Sequence, residues 1–209
     1  PGYTPAVFPP WKSSCASTAA AGRCEPMMEK LLIENCAPTL ANLKTASLFT
    51  VPVENPAEWQ EALTRWRRIL GGKGVSLEVL RDTGKTRLLY VYRESRLARD
   101  LSHGLARCIL CGCGYAGFGV EEALDTLMSR IAREGDFPHE IGLFLGYPPE
   151  DVEGFMKHRG RNCKCVGCWK VYGDEEGAVR QFARFKKCRD VYLRLFHGGR
   201  SLWQLTVAS

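Results

Sequence analysis

Apolar residues recur at helical spacing in four long stretches, and each stretch predicts a helix with one buried face. The positions that share a face are Met27, Met28, Leu31 and Leu32; Trp59, Leu63, Trp66 and Leu70; Val120, Leu124, Leu127, Met128 and Ile131; and Phe182, Phe185, Tyr192, Leu193 and Phe196. Shorter helices are expected over residues 96–110, within 137–147 and from about 149 to 158. Proline near the start and glycine after the end mark the helix over residues 58–70 most clearly.

Five shorter apolar runs predict strands, at residues 47–53, 75–80, 87–92, 166–172 and 202–207. The second and third are separated by Asp82-Thr83-Gly84-Lys85, which is typical of a hairpin turn. The central helices come in a block, so a regular alternation of strand and helix is not expected. The pattern predicts an α+β fold: a single domain over residues 25–209, with helices packed on a mixed sheet of about five strands.

Residues 1–24 show neither helical nor strand periodicity. They include four prolines in the first ten positions, followed by a stretch rich in serine, alanine and glycine. Such a sequence is expected to form a poorly ordered leader in front of the domain. It has no basic flank followed by an apolar run, so a signal peptide is not expected.

The composition is that of an ordinary globular domain, with 45% apolar and 25% charged residues in a chain of 209. This composition excludes wholesale disorder, collagen and a long coiled coil. No apolar run approaches the roughly 20 residues of a transmembrane helix. We therefore expect no membrane association.

Positive charge is concentrated near the C-terminus. The whole chain carries a net charge of +6, while residues 157–200 contain twelve basic and four acidic side chains. We interpret this excess as the solvated face of the last long helix. The alternative is a basic interaction module that binds nucleic acid or an acidic partner. No nucleic-acid-binding motif accompanies the charge, so nucleic acid is not the expected partner.

Three blocks of sequence are more distinctive than the rest. They are ENCAPTLANLKTASLF at residues 34–49, FPHEIGLFLGYPPEDVEGF at residues 137–155 and CWKVYGD at residues 168–174. Through these blocks the chain, from about residue 25 to 207, resembles an uncharacterised domain-of-unknown-function family of anaerobic Firmicutes. The resemblance implies a cytosolic bacterial protein and no known activity, so the function has to be inferred from the residues themselves.

Cysteine is unusually frequent, at ten of 209 residues, and six of the cysteines form two triplets with similar spacing. The triplets are Cys108, Cys111 and Cys113, and Cys163, Cys165 and Cys168. Thiolates two or three residues apart in glycine-containing loops can converge on one soft metal ion, so zinc or an iron–sulfur cluster is one hypothesis. The alternative is a set of reduced thiols, because buried cysteine in a reducing cytosol acts as a small apolar residue.

A second hypothesis is cysteine-dependent catalysis. Cys36 lies close to Pro38, where a break in the first helix would leave free backbone N–H groups that lower a thiol pKa. His139, in the second distinctive block, can serve as its base, with Glu140 or Asp151 orienting the imidazole. The alternatives are a packing role for Cys36 and a capping role for His139 and Glu140.

A third hypothesis concerns an anionic ligand. Strand alternation places Cys168, Lys170 and Tyr172 on one face of the strand predicted at residues 166–172. An ammonium group and a hydroxyl side by side can bind a carboxylate or a phosphate, and we group Lys44, from the first block, with them. The alternative is a solvent-facing row of polar side chains without a ligand.

These patterns favour a ligand- or metal-binding accessory protein of anaerobic metabolism, whose ligand is a small molecule or an anion. A hydrolase or transferase that uses Cys36 and His139 is one alternative. A basic interaction module is the other.

Overall fold

The computed structural model describes residues 24–133 and 137–208, which form helices around two small antiparallel sheets. The helices are α1 (Cys24–Leu40), α2 (Pro56–Gly71), α3 (Glu94–Ser102), α4 (Gly104–Gly112), α5 (Val120–Ala132), α6 (Ile141–Phe144), α7 (Pro149–His158), α8 (Glu175–His197) and α9 (Leu202–Leu205). The strands are β1 (Ala46–Pro52), β2 (Ser76–Asp82), β3 (Thr86–Tyr92), β4 (Cys165–Val166) and β5 (Lys170–Val171). The predicted α+β class is confirmed, in one domain.

The larger sheet has the order β1-β3-β2, and both strand pairs are antiparallel. Ala46 of β1 and Ser76 of β2 both lie opposite Tyr92, so β3 is the central strand. β2 and β3 form the predicted hairpin. At its turn Gly84 has a φ of 79°, a left-handed conformation that glycine adopts without steric penalty. The Gly84 N–H donates to Asp82 Oδ1 at 2.8 Å, which closes the turn.

Alternate residues of β3 face opposite sides of this sheet, and each side carries its own apolar cluster. Tyr90 and Tyr92 belong to the first cluster, which also buries side chains of α3, α4, α5 and α6. Leu89 and Val91 belong to the second cluster, which buries side chains of α1, α2 and α9. Helices therefore cover both faces of the sheet.

A third, smaller cluster joins the β4–β5 hairpin to α8. Trp169 is buried there against Ala178 and Phe185. The turn of the hairpin lies so close to α8 that a β-carbon on Gly167 would come within 2.2 Å of the Phe182 ring. Glycine at this position permits the close approach.

Two of the strand predictions are wrong, and the larger sheet is neither mixed nor five-stranded. Residues 166–172 do not form one strand, because the chain turns at Gly167 and pairs β4 with β5 as a separate sheet. Residues 202–205 form α9, whose first turn is stabilised by a capping box between Ser201 and Gln204. The helix predicted over residues 96–110 is divided into α3 and α4, since His103 between them is extended.

The leader predicted for residues 1–24 lies outside the described residues, apart from Cys24 at the start of α1. Among the helices of the described ranges, none is both long enough and apolar enough to cross a membrane.

Candidate functional site

The side chains predicted to bind an anion lie on the β4–β5 hairpin. Trp169 is 5% exposed and Val171 is fully buried, whereas Lys170 and Tyr172 are half-buried. Trp169 and Val171 therefore face the interior. The predicted alternation separates them from Lys170 and Tyr172 as expected, although the segment is a hairpin and not one strand.

Lys170 and Tyr172 attach the hairpin to the end of α7. Lys170 Nζ donates to the carbonyl oxygen of Gly160 at 2.7 Å and lies 5.8 Å from the centre of the Phe155 ring. The Tyr172 ring stacks on the His158 imidazole, with 5.7 Å between centroids and 10° between the planes. These contacts give both side chains a structural role, and a ligand-binding role for them stays a prediction.

Asp151 connects the start of α7 to the same hairpin. It is 3% exposed, and its Oδ1 accepts from the backbone N–H groups of Tyr172 (2.7 Å) and Gly173 (2.8 Å). Its Oδ2 accepts from Trp169 Nε1 at 2.7 Å. Three hydrogen bonds offset the cost of burying this carboxylate. Asp151 therefore anchors the hairpin, a role that the sequence analysis did not assign to it.

Lys44 approaches the hairpin from the loop between α1 and β1. Its side chain is half-buried, and its Nζ lies 5.5 Å from the centre of the Tyr147 ring. Tyr147 in turn stacks on Trp169, with 5.0 Å between the ring centroids. Burial lowers the pKa of Lys44 below its ordinary value, and the nearby thiols of Cys168 and Cys36 oppose that shift.

The thiol of Cys168 is half-buried in the same place, packed against the third cluster. Burial raises the pKa of this thiol, and the positive charges of Lys44 and Arg189 oppose the increase. Burial, together with the neighbouring Cys168, also raises the pKa of the Tyr147 hydroxyl. The structure thus brings an amine, a thiol and a phenol together. The metal hypothesis included Cys168 and the anionic-ligand hypothesis included Lys44, whereas Tyr147 belonged to neither.

Cys36 does not have the surroundings of a nucleophile. α1 continues through Pro38 to Leu40, so Cys36 lies inside the helix and the predicted helix break is wrong. Burial of the final turn of α1 stabilises the helix by more than the cost of the one hydrogen bond that Pro38, which has no N–H, cannot donate. Cys36 is fully buried, and burial raises the pKa of its thiol well above the ordinary value, while Lys44 and Ser47 oppose the shift. At neutral pH it is a protonated thiol.

His139 and Glu140 have different neighbours from Cys36. His139 is exposed, and its ring meets the Phe155 ring edge-on at 5.0 Å between centroids. Glu140 is 2% exposed and accepts from Arg130 Nε (2.5 Å) and from the Tyr115 hydroxyl (3.2 Å). Tyr115 belongs to the first cluster, so Glu140 lies beside that cluster, whereas Cys36 is buried in the second cluster. The catalytic hypothesis gains no support from this arrangement.

The two cysteine triplets lie on different elements. Cys108 and Cys111 are exposed on α4, and Cys113 follows that helix. Cys163, Cys165 and Cys168 are half-buried at the β4–β5 hairpin. Within residues 24–133 and 137–208, no three His, Cys, Asp or Glu side chains are grouped closely enough to hold a metal ion. The described residues therefore do not form the shared zinc or iron–sulfur site that the spacing suggested, because the two triplets do not converge.

Helix α8 carries the excess positive charge of the protein. Between Arg180 and Arg200 the chain has seven basic side chains and one acidic side chain, and all eight are exposed. The other 188 residues of the sequence contain 22 basic and 22 acidic side chains. The segment from Arg180 to Arg200 therefore carries a charge equal to the net charge of +6, while Glu175 and Glu176 in the first turn of α8 lower the charge of the helix and its following turn to +4.

The exposed side of α8 is not uniformly polar. α8 has 23 residues, of which only Ala178 and Phe185 are buried. A shallow groove of about 520 Å³ runs along its outer face, lined by Ala183, Lys186, Lys187, Asp190, Val191, Leu193 and Arg194. Val179 and Leu195 add apolar surface, with exposed fractions of 51% and 41%. The face therefore combines cationic and apolar groups.

Comparison with known proteins identifies the family. The sequence model of a family described as "Protein of unknown function (DUF3793)" matches residues 32–206. The chain belongs to this family. The resemblance to an uncharacterised family is thereby confirmed, and its occurrence in anaerobic Firmicutes stays an expectation. No curated protein and no solved structure matches the chain.

One residue of this DUF3793 protein that the sequence analysis missed is Arg93, directly after β3. It is fully buried, and its guanidinium donates to the carbonyl oxygens of Thr39 (2.7 Å), Leu40 (2.7 Å) and Val207 (2.8 Å). It thereby joins the end of α1 to the C-terminal segment. A single arginine at the end of a strand shows no periodic signal, so its burial could not be read from the sequence.

Proposed function

We propose that this protein is a binding protein that recognises an acidic, amphipathic segment of a partner protein through the outer face of α8. The observation that carries the proposal is the concentration of seven basic side chains and one acidic side chain between Arg180 and Arg200, on the exposed part of α8 and the turn that follows it. A charged face of this kind attracts an oppositely charged partner over distances near the Debye length, about 8 Å at physiological salt.

The groove on α8 favours a protein segment over a nucleic acid. Ala183, Val191 and Leu193 supply apolar contacts beside Lys186 and Lys187. An amphipathic helix can place apolar side chains in such a groove and acidic side chains over the lysines. We place this interaction in the cytoplasm of an anaerobic bacterium, as the resemblance implies.

The test compares two fluorescent probes of equal negative charge. One is a peptide with glutamate and leucine at helical spacing, and the other is a single-stranded DNA oligonucleotide. Fluorescence anisotropy should show salt-dependent binding of the peptide, with a dissociation constant lower than that for the oligonucleotide. Tighter binding of the oligonucleotide would instead indicate that α8 binds nucleic acid.

A matched pair of variants separates recognition from bulk charge. Lys186→Glu with Lys187→Glu should weaken peptide binding by about tenfold or more, since it reverses two charges within the groove. Arg68→Glu with Lys85→Glu changes the net charge equally at exposed positions on α2 and the β2–β3 turn. That control should leave the affinity nearly unchanged. Equal weakening by both pairs would contradict a site on α8.

A further inference from the structure

We propose that Lys44 and Cys168 form an amine–thiol pair that captures small aldehydes, joining the carbonyl carbon to both side chains. The site lies between the α1–β1 loop and the β4–β5 hairpin, and it is distinct from the groove on α8. Both residues are half-buried, so each keeps some contact with solvent.

The aromatic rings beneath the pair hold its two members in place. Lys44 Nζ lies 5.5 Å from the centre of the Tyr147 ring, and Tyr147 stacks on Trp169 at 5.0 Å. Cys168 directly precedes Trp169 and packs against the same cluster. Trp169 itself is fixed by its hydrogen bond to Asp151. The amine and the thiol are thus supported by one rigid group of side chains.

The surroundings of Lys44 favour the neutral amine that this chemistry needs. Burial lowers the pKa of the Lys44 ammonium. Burial raises the pKa of the Cys168 thiol, which the charge of Arg189 opposes, and the imine nitrogen accepts the thiol proton when the sulfur adds. In the described part of the chain, no carboxylate lies within ion-pair distance of Lys44 to hold it in the charged form. A neutral amine is the nucleophile that adds to a carbonyl group, whereas an ammonium is not.

The reaction consumes one aldehyde and releases one water. The Lys44 nitrogen adds to the carbonyl carbon, and a proton moves from nitrogen to the carbonyl oxygen. Loss of water gives an imine. The Cys168 sulfur then adds to the imine carbon, and the thiol proton moves to the nitrogen. New N–C and C–S bonds replace the C=O bond, so no oxidant or reductant is required.

Arg189 suggests which aldehydes the pair prefers. It lies one helical turn after Phe185, which is buried in the cluster against which Cys168 packs, and its side chain is exposed. Its positive charge opposes the increase that burial causes in the pKa of the Cys168 thiol. A guanidinium beside the reacting carbon can bind a carboxylate on the ligand. We therefore expect a small aldehyde that carries a carboxylate, such as glyoxylate, to react faster than an uncharged aldehyde of similar size.

The first experiment uses o-phthalaldehyde, which forms a fluorescent isoindole when an amine and a thiol lie next to each other. The folded protein at an equimolar dose should become fluorescent, and peptide mass spectrometry should find Lys44 and Cys168 joined. Lys44→Arg and Cys168→Ser should each reduce the initial rate at least tenfold. An unchanged rate in either variant would overturn the proposal.

Two control variants address general reactivity and folding. Lys73→Arg and Cys188→Ser remove another half-buried amine and another half-buried thiol, and both should keep the rate of the unmodified protein. Far-ultraviolet circular dichroism establishes that all four variants are folded. Linked peptides that form only after denaturation would show that the two groups are not paired in the native protein.

Glyoxylate provides the second experiment. The folded protein should give a Lys44–Cys168 linked peptide whose added mass equals glyoxylate minus water. Arg189→Gln should slow this reaction several-fold without slowing the reaction with formaldehyde. Equal slowing of both reactions would show that Arg189 does not bind the carboxylate of glyoxylate. Absence of the linked peptide with both aldehydes would contradict the proposal that Lys44 and Cys168 capture aldehydes.

Discussion

Burial divides the thiols of this protein into groups with different chemistry. Cys36 is fully buried, while Cys108 and Cys111 are exposed on α4. A thiol reacts as its thiolate, so both solvent access and a low pKa are needed for rapid reaction. Cys36 lacks access, and burial also raises the pKa of its thiol.

We therefore expect an alkylating reagent to separate these residues. N-ethylmaleimide at neutral pH should label Cys108 and Cys111 in the folded protein within minutes, and it should label Cys36 only after denaturation. Peptide mass spectrometry before and after addition of urea provides the measurement. Exposed Cys108 serves as the internal control for reagent activity. Fast labelling of Cys36 in the folded state would revive the hypothesis that it is a nucleophile.

Residue-level roles were only partly predictable from the sequence. Strand alternation placed Lys170 and Tyr172 on one face and Val171 on the other, and the structure buries Val171 while the other two side chains are half-buried. The anchoring role of Asp151 and the burial of Arg93 depend on partners far away in the sequence, at Tyr172 and at Val207. Neither contact leaves a local pattern. The proximity of Lys44 to Cys168 is likewise not predictable from a local pattern, because more than one hundred residues separate them in the sequence.

Helices and strands match the hydrophobic periodicity of the sequence where a long apolar face is buried. They differ from it where capping or long-range contacts determine the local structure. The three strands of the larger sheet lie close to their predicted positions. The segment LWQL looks apolar enough for a strand, yet the capping box of Ser201 and Gln204 starts a helix there. Lys73 Nζ then donates to the carbonyl oxygens of Trp203 and Thr206, which stabilises its end.

Close packing of the hairpin on α7 gives a test at this scale. A β-carbon on Gly154 would lie 2.5 Å from Cγ of Tyr172, so Gly154→Ala must displace the hairpin. We expect the free energy of unfolding to fall by about 1–3 kcal/mol, the usual cost of overpacking. Urea denaturation followed by circular dichroism measures it.

The matched control for this prediction is Gly112→Ala at the end of α4. A β-carbon there meets nothing within 4 Å. Since alanine is favoured over glycine in helices by about 0.5–1 kcal/mol, this change should leave stability unchanged or raise it. If Gly154→Ala behaves in the same way as the control, the close contact with Tyr172 is not present in solution.

On the scale of the whole molecule, the central strand β3 contributes to both the first and the second apolar cluster. The sequence alone did not predict that the core is divided in this way. The apolar faces of the helices were predictable, but which helices share a face of the sheet depends on the strand order. β3 supplies Tyr90 to the first cluster and Leu89 to the second. Damage to one cluster therefore changes the packing of a strand that the other cluster needs.

We expect this shared strand to make unfolding cooperative across both faces. Leu101 lies in the first cluster, whereas Trp59 and Trp66 lie in the second, and all three are buried. Leu101→Ala should lower the free energy of unfolding by about 2–5 kcal/mol through loss of contacts and the cavity that remains. The transition seen by tryptophan fluorescence should shift together with the one seen by circular dichroism, although the substitution lies on the opposite side of the sheet. Leu70→Ala, in the second cluster, is the matched control and should shift both signals equally. An early transition in circular dichroism with unchanged fluorescence would mean that the first cluster unfolds separately, and that β3 does not couple the two faces.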